Sequence, residues 1–254
     1  PASRLPPPSP FPMSELPSHY LTTAQALMQK AVALNTPVLA LLGRVIGESL
    51  ARGGVLHTFG SGHSEIISRE IIGRAGGLVC VSGIFDPTGG FAENLVGYGT
   101  KVVERYDRAH GLLPGETIIV ISNSGKNSSP IEVALYAKQK GLNVVGLTCV
   151  EMSRAAPTVH PGGKKLHELA DHVLDNCGTP GDAITPVGGG VMAGPTSTFI
   201  GATLLNLLSL EITAFLKAGG HPLPILRSQN LPNAIEYNRE LGRKYKCRLS
   251  RQPA

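Results

Sequence analysis

The residues best suited to chemistry lie in two stretches, Gly60-Ser61-Gly62-His63-Ser64 and Ser122-Asn123-Ser124-Gly125-Lys126-Asn127-Ser128-Ser129-Pro130. In the second, serine hydroxyls and asparagine amides lead to Pro130. Proline suits a first helical turn, where its missing N–H costs nothing. A helix start with free backbone amides attracts an anion, and the hydroxyls add donors without filling the space with bulk. A phosphate ester fits that chemistry. An ordinary Ser/Asn-rich turn capping a helix is the plainer alternative; the anion site is preferred because the loop has far more donors than a cap requires. In the first stretch, Gly60 and Gly62 let backbone approach a ligand closely, and Ser61 and Ser64 can hydrogen-bond its hydroxyls.

Titratable side chains accompany both loops. Glu70 stands among Ile66, Ile67, Ile71 and Ile72, whose apolar bulk can desolvate the carboxyl and raise its pKa. A surface ion pair with Arg69 or Arg74 is the alternative. Glu93, in Phe91-Ala92-Glu93-Asn94-Leu95, offers a second carboxylate, and two carboxylates in different environments can act as base and acid. A helix-start glutamate favoured by the helix dipole is the other reading. His63 can donate to a ligand hydroxyl or hold its own loop. His57, inside an apolar strand, reads as structural. Cys80, Cys149, Cys177 and Cys247 are scattered and form no CxxC pair, so no metal site and no disulfide framework is expected, and the thiols read as reduced in a cytoplasmic protein.

These loops need strands and helices to aim them. Residues 18 to 34 have helical apolar spacing, Pro37 is expected to break the helix, and a second helix runs from Val38 to Gly53. Strands follow at Val55–Phe59, Leu78–Val81, Thr117–Ile121, Val144–Thr148 and His172–Asp175. Helices are expected from Glu65 to Arg74, from about Ala92 to Arg108, after Pro130, from Thr196 to Lys217 and from near Asn233. Strands alternating with helices give an α/β fold, a doubly wound five-stranded parallel sheet with an N-terminal helical extension. Both hydroxyl loops follow strands, so both open on the carboxyl edge, where such sheets bind ligands. The Gly/Pro-rich run from Cys177 to Pro195 has the length of an active-site flap.

Composition narrows the function. With 254 residues and no rich linker, the chain reads as one domain over 13–254 with a C-terminal helical tail, preceded by a proline-rich leader or tag at 1–12. The formal charge of +5 resides between Arg239 and Arg251, where six Lys/Arg face one acid. That tail is read as a solvated helix end. Trp is absent and aromatics make up 5%, against a stacking platform for nucleic acid. No run is judged to approach a membrane span, so neither nucleic acid nor membrane is an expected partner. Gly60-x-Gly62 begins like a dinucleotide fingerprint, with Asp86 placed to hold a ribose, but Glu65 occupies the third glycine position and would crowd the helix–strand contact. No cofactor is expected.

Gly60-Ser61-Gly62-His63-Ser64 together with Ser122-Asn123-Ser124-Gly125 resembles the sugar isomerase (SIS) domain family. Arg74-Ala75-Gly76-Gly77-Leu78, Gly194-Pro195-Thr196-Ser197-Thr198 and Ser228-Gln229-Asn230 extend the likeness to single-domain members over about residues 20 to 250. The resemblance implies the SIS fold and a sugar phosphate ligand. It implies phosphate contacts from Ser122 and Ser124, with Asn127 and Ser128 replacing the usual third hydroxyl. Asn123, Gly125, Lys126 and Ser197 belong to the same expected binding set as Gly60, Ser61, Gly62 and Ser64. Catalysis in such enzymes mostly moves the proton on carbon 2 of the sugar. Glu70 matches a catalytic glutamate of heptose-phosphate isomerases and N-acetylmuramate 6-phosphate etherases, with Glu93, His63 and His221 as further candidates. The helix Thr196 to Lys217 lacks the histidine of the heptose-phosphate isomerases, which favours a lyase removing the carbon 3 substituent over an aldose–ketose isomerase. A non-catalytic phosphosugar sensor is the third reading. A homodimer or homotetramer with sites near the interface is implied, His221 coming from a neighbouring subunit.

Overall fold

The β-branched runs and the apolar helical stretches between them assemble into a parallel sheet layered between helices in the computed structural model, which describes residues 14–251. The leader at 1–12 lies outside the described residues. The elements in order are α1 Glu15–Ala51, β1 Leu56–Gly60, α2 His63–Glu70, β2 Val81–Ile84, α3 Tyr98–His110, β3 Thr117–Ile121, α4 Ser128–Gln139, β4 Asn143–Thr148, α5 Val150–Ala155, α6 Leu166–Leu169, β5 His172–Asp175, β6 Ala183–Gly188, β7 Val191–Pro195, α7 Ser197–Ala218 and α8 Ala234–Arg243.

The sheet order is β2-β1-β3-β4-β5, all parallel. Every residue of β1 and β3 is buried, as expected for strands covered on both faces. One face carries the core shared with α1, α2 and α7, including Leu42, Ile46, Ile200 and Leu208. The other carries Phe59, Val103, Val120, Val133 and Leu166 beneath α3, α4 and α6. From β1 the chain goes one way to β2 and then the other way to β3, which puts the topological switch point between β1 and β3. Phe59 pairs with Val120 and Gly60 with Ile121, so the two hydroxyl loops leave the sheet side by side.

Five sequence expectations need correction. Pro37 does not break the N-terminal helix: α1 runs unbroken for 37 residues. An internal proline costs about 3 kcal/mol, and the long packing of α1 on α7 outweighs it. Gly43 lies so close to α7 that a Cβ there would sit 2.7 Å from the Glu211 Cβ. Both α1 and α7 are, by length and composition alone, long and apolar enough to cross a membrane, contrary to the reading of the sequence; here they pack on each other and on the core. The second strand begins at Val81, because backbone at 76–79 is taken by the segment after α7: Gly76 N donates to Leu226 O, Leu226 N to Gly77 O, and Val79 N to Pro224 O. The helix expected from Ala92 begins instead at Tyr98, since glycines in the left-handed region at Gly89, Gly90 and Gly97 hold 87–97 in turns. The basic tail is not a solvated helix end, because Arg248 reaches back to bind Glu116 and Ser250 N donates to Ser82 Oγ. The flap from Cys177 to Pro195 contains an antiparallel hairpin, β6–β7.

Candidate active site

The two loops and a third turn enclose a cavity of about 420 Å³, lined by Ser61, Gly62, His63, Ser64, Gly89, Gly90, Phe91, Glu93, Ser122, Asn123, Ser124, Asn127 and Met152. The first loop enters at Gly60. A Cβ there would run into the Ser64 carbonyl, so only glycine lets the chain turn directly from β1 into α2. The turn after β2 is folded by Asp86, whose carboxylate accepts from Thr88 N, Thr88 Oγ1, Gly90 N and Tyr98 Oη. Burial pushes the Asp86 pKa up, but these hydrogen bonds overcome it and hold the carboxyl below its usual range. Asp86 is thereby fully committed to its own turn and to Tyr98. Its reward is the placement of Gly90, where a Cβ would lie 2.9 Å from Gly62 Cα.

This close approach delivers Glu93 to the space between the two hydroxyl loops. One carboxylate oxygen accepts from Ser61 Oγ at 2.5 Å and the other from Asn127 Nδ2 at 2.7 Å. The Glu93 carbonyl accepts from Ser129 N at 2.8 Å. A single residue therefore ties the loop after β1 to the loop after β3 while its carboxylate faces the cavity. Two hydrogen bonds leave lone pairs for a ligand.

The β3 loop has the complementary character. Ser122 Oγ accepts from Gly125 N at 3.2 Å, which leaves its own hydrogen to donate. The amides of Ser124, Lys126 and Asn127 donate to no backbone or side-chain acceptor among the described residues. They stand at the N-terminus of the 12-residue α4, where the helix dipole adds positive potential. Ser128 Oγ is buried there without a hydrogen-bond partner. Gly125 adopts φ +61°, and a Cβ on it would sit 2.8 Å from Ser153 Oγ. Asn123 is oriented from behind: its Oδ1 accepts from Asn176 Nδ2 at 2.8 Å, so its own NH₂ turns to the Met152 side of the cavity.

Of the residues expected from the sequence, Ser61, Gly62, His63, Ser64, Glu93, Ser122, Asn123, Ser124 and Asn127 share this cavity. Gly60, Gly125 and Ser128 shape it from beneath. Lys126 contributes its carbonyl, which accepts from Val159 N and Thr158 Oγ1, and its side chain does not line the space. Ser197 is spent on Asp182, donating its hydroxyl to Oδ2 and its amide to Oδ1. Glu70 does not reach the cavity. It is seven residues along α2 from His63, about 10 Å of helix, and it pairs with Arg74 and accepts from Asn206 of α7. His221 lies beyond the end of α7 beside Leu50, Ala51 and Leu216. Asn176, Met152 and Phe91 were not foreseen. Asn176 carried the available signal, a polar residue directly after a strand on the ligand edge. Among the described residues no group of three or more His, Cys, Asp or Glu is placed to share a metal ion.

The order 2-1-3-4-5 puts a hydroxyl-rich crevice at the switch point, between the ends of β1 and β3. Residues 19–149 match the SIS domain, and this chain belongs to the SIS domain family. It is 38% identical over 213 residues to a UPF0309 protein of Geobacillus sp. (strain WCH70), covering 81% of this chain and 85% of that one. A UPF0309 protein of Listeria monocytogenes is 34% identical over 208 residues, covering 81% and 87%. Among solved structures, a phosphoheptose isomerase from Francisella tularensis superposes with a TM-score of 0.54 at 16% identity, covering 79% of this chain and 98% of that one. The Vibrio vulnificus NanR protein complexed with ManNAc-6P gives 0.50 at 17% identity, covering 81% and 64%.

Proposed function

We propose that the crevice binds a sugar phosphate, most simply an (N-acetyl)hexosamine 6-phosphate, and that Glu93 removes the proton on carbon 2. The observation carrying this reading is the opposition of one carboxylate to an anion cradle across a single cavity. Ser122, Ser124, the amides before α4 and the Asn123 NH₂ receive the phosphate and neighbouring oxygens. In the opened aldehyde form, the carbon 2 proton is acidic enough for a carboxylate base in hydrogen-bond reach. Glu93 takes that proton, the electron pair forms the carbon 2–carbon 3 double bond, and the carbon 3–oxygen bond breaks. His63, across the same cavity, gives the leaving oxygen its proton. The protein is then a lyase that dehydrates its substrate or cleaves an ether.

The absence of Glu70 from the cavity supports a second reading, an aldose–ketose isomerase. One carboxylate suffices to carry a proton from carbon 2 to carbon 1. Glu70 and His221 act on a crevice only if another copy supplies them. The exposed stripe Phe199, Asn206 and Leu210 on α7, beside which Glu70 sits, is where we place the homodimer contact; light scattering on the purified chain tests it.

Incubation with hexose, hexosamine and N-acetylhexosamine 6-phosphates in deuterated water, read by mass spectrometry, tests the reaction. Loss of one water marks elimination; deuterium uptake without mass loss marks isomerisation. Glu93→Gln is expected to slow either by about 10²–10⁴-fold while the sugar phosphate still binds. Full turnover in that variant rules Glu93 out as the base. Thermal stabilisation by a sugar phosphate with neither product identifies a sensor.

A further inference from the structure

Two motifs that the crevice does not use meet elsewhere. The segment Arg74-Ala75-Gly76-Gly77-Leu78 and the segment running into Ser228-Gln229-Asn230 are stitched antiparallel by the Gly76–Leu226 and Leu226–Gly77 hydrogen bonds and the Leu78–Ile225 bridge. Buried Asn238 fixes the second segment from α8, its Oδ1 accepting from Arg227 N at 2.8 Å and its Nδ2 donating to Arg227 O at 2.9 Å. Between them lies a cleft of about 360 Å³ that shares no lining residue with the crevice.

Three arginines from three parts of the chain line it: Arg74 after α2, Arg227 after α7 and Arg251 from the C-terminal segment. Arg227 stacks its guanidinium over the Tyr237 ring, 3.8 Å from the centroid. That contact holds the planar group in place and leaves its N–H edge open. Arg251 packs over Gly73, where an added Cβ would lie 3.5 Å from its Cδ. Neither the Arg227 nor the Arg251 guanidinium makes a hydrogen bond or ion pair to another described residue. No carboxylate is among the residues that line the cleft, and Arg74 is paired with Glu70. Ser228 Oγ accepts from Asn230 N and keeps its hydrogen to donate. A rigid concave wall rich in donors and short of acceptors has the complement of an oxyanion, and two free guanidinium forks suit one with several oxygens.

We infer that this cleft is a second anion site, separate from the crevice, which takes a small multiply charged oxyanion such as a phosphate ester. The inference does not depend on the reaction assigned to the crevice. Inorganic pyrophosphate is the probe, titrated calorimetrically into the intact chain at constant ionic strength, with citrate as the polycarboxylate arm. Wild-type protein should bind pyrophosphate in this cleft, and Arg251→Gln and Arg227→Gln should each weaken that binding by about tenfold, a loss of about 1.4 kcal/mol. Arg251→Lys should recover part of the loss, and Arg44→Gln, an equal change of net charge on exposed α1, should leave it unchanged. Ser124→Ala addresses only the crevice, so loss there and loss in the cleft are read apart. Stronger binding of pyrophosphate than citrate assigns the site to phosphate, and the reverse to carboxylates. Equal affinity in wild type, Arg251→Gln and Arg227→Gln, or an equal loss in Arg44→Gln, overturns the proposal.

Discussion

The two edges of the central sheet each hold a glutamate that ties loops together, and they do so to opposite ends. At the amino edge, Glu116 accepts from Val55 N, Leu113 N, His57 Nε2 and twice from Arg248 Nη2, at 2.8 to 3.0 Å. His57 extends the network through Nδ1, 2.8 Å from Tyr106 Oη, which lies 2.5 Å from Ser82 Oγ. At the carboxyl edge, Glu93 has two side-chain donors and faces an open cavity. A carboxylate whose lone pairs are all taken by buried partners is a rivet. One with spare lone pairs beside a cavity is available for chemistry. The residue type is the same, and the partner count decides the role.

The largest expected effect comes from breaking the rivet. Glu116→Ala strands the buried end of Arg248, His57 and two backbone amides together. Removing one partner of a buried charged pair costs about 3–5 kcal/mol, so the urea midpoint should fall steeply. At temperatures where the variant remains folded, sugar phosphate affinity should be unchanged. A variant as stable as wild type would mean that the amino-edge network contributes nothing, and the contrast between the edges would dissolve.

Acidification probes the same network without a mutation. Burial would raise the Glu116 pKa, but the hydrogen bonds from His57, Arg248 and Leu113 N overcome it and bring it from 4.5 to about 2. Burial is also the main cause that lowers His57 below 6.5, against the pull of Glu116. Both groups bind protons more readily when unfolded, so both stabilise the fold at neutral pH and lose that contribution as pH falls. Denaturation midpoints should be flat above about pH 7, decline below 6.5 as unfolded His57 takes its proton, and decline further below 4.5 as unfolded Glu116 does. In Glu116→Ala the second decline should shrink. A midpoint that rises on acidification would contradict the assignment.

The carboxyl edge was the more legible of the two in the sequence. Glycine at Gly60, hydroxyls after β3 and Pro130 in the first turn of α4 are local requirements, and local chemistry survives translation into sequence. The parallel α/β pattern put both hydroxyl loops on the carboxyl edge, while the pairing of β1 with β3 that sets them side by side is a property of the assembled sheet. Contacts distant along the chain did not announce themselves. Arg248 looked like one charge in a basic run, and its partner lies 132 residues away. Asn176 reads as an ordinary residue after a strand until its amide is seen to aim Asn123. Glu70 and Glu93 were placed together because each follows an early strand. The eight-residue α2 carries Glu70 away along its axis, while the turns held by Asp86 bring Glu93 in. The Pro37 expectation failed because propensity is local and the packing of α1 on α7 is not.

The smallest effect separates the contributors to the anion cradle. Ser124 lines the cavity, and its hydroxyl makes no hydrogen bond to another described residue. Its loss therefore orphans nothing in the ligand-free protein. Ser124→Ala should leave the denaturation midpoint within about 0.5 kcal/mol of wild type and weaken sugar phosphate binding by about tenfold, since a hydrogen bond to a charged group contributes about 1.5–3 kcal/mol and water restores part of it. Ser122 should behave differently despite its similar position. Its oxygen also accepts from Gly125 N, so Ser122→Ala should lose both affinity and a little stability: the loop turn gives up one of the two acceptors of that amide and keeps the Ser122 carbonyl. Titration with a sugar phosphate, paired with urea denaturation of each variant, reads the two quantities separately. If Ser124→Ala cost stability and Ser122→Ala did not, the division between satisfied and available groups would be misplaced within the loop itself.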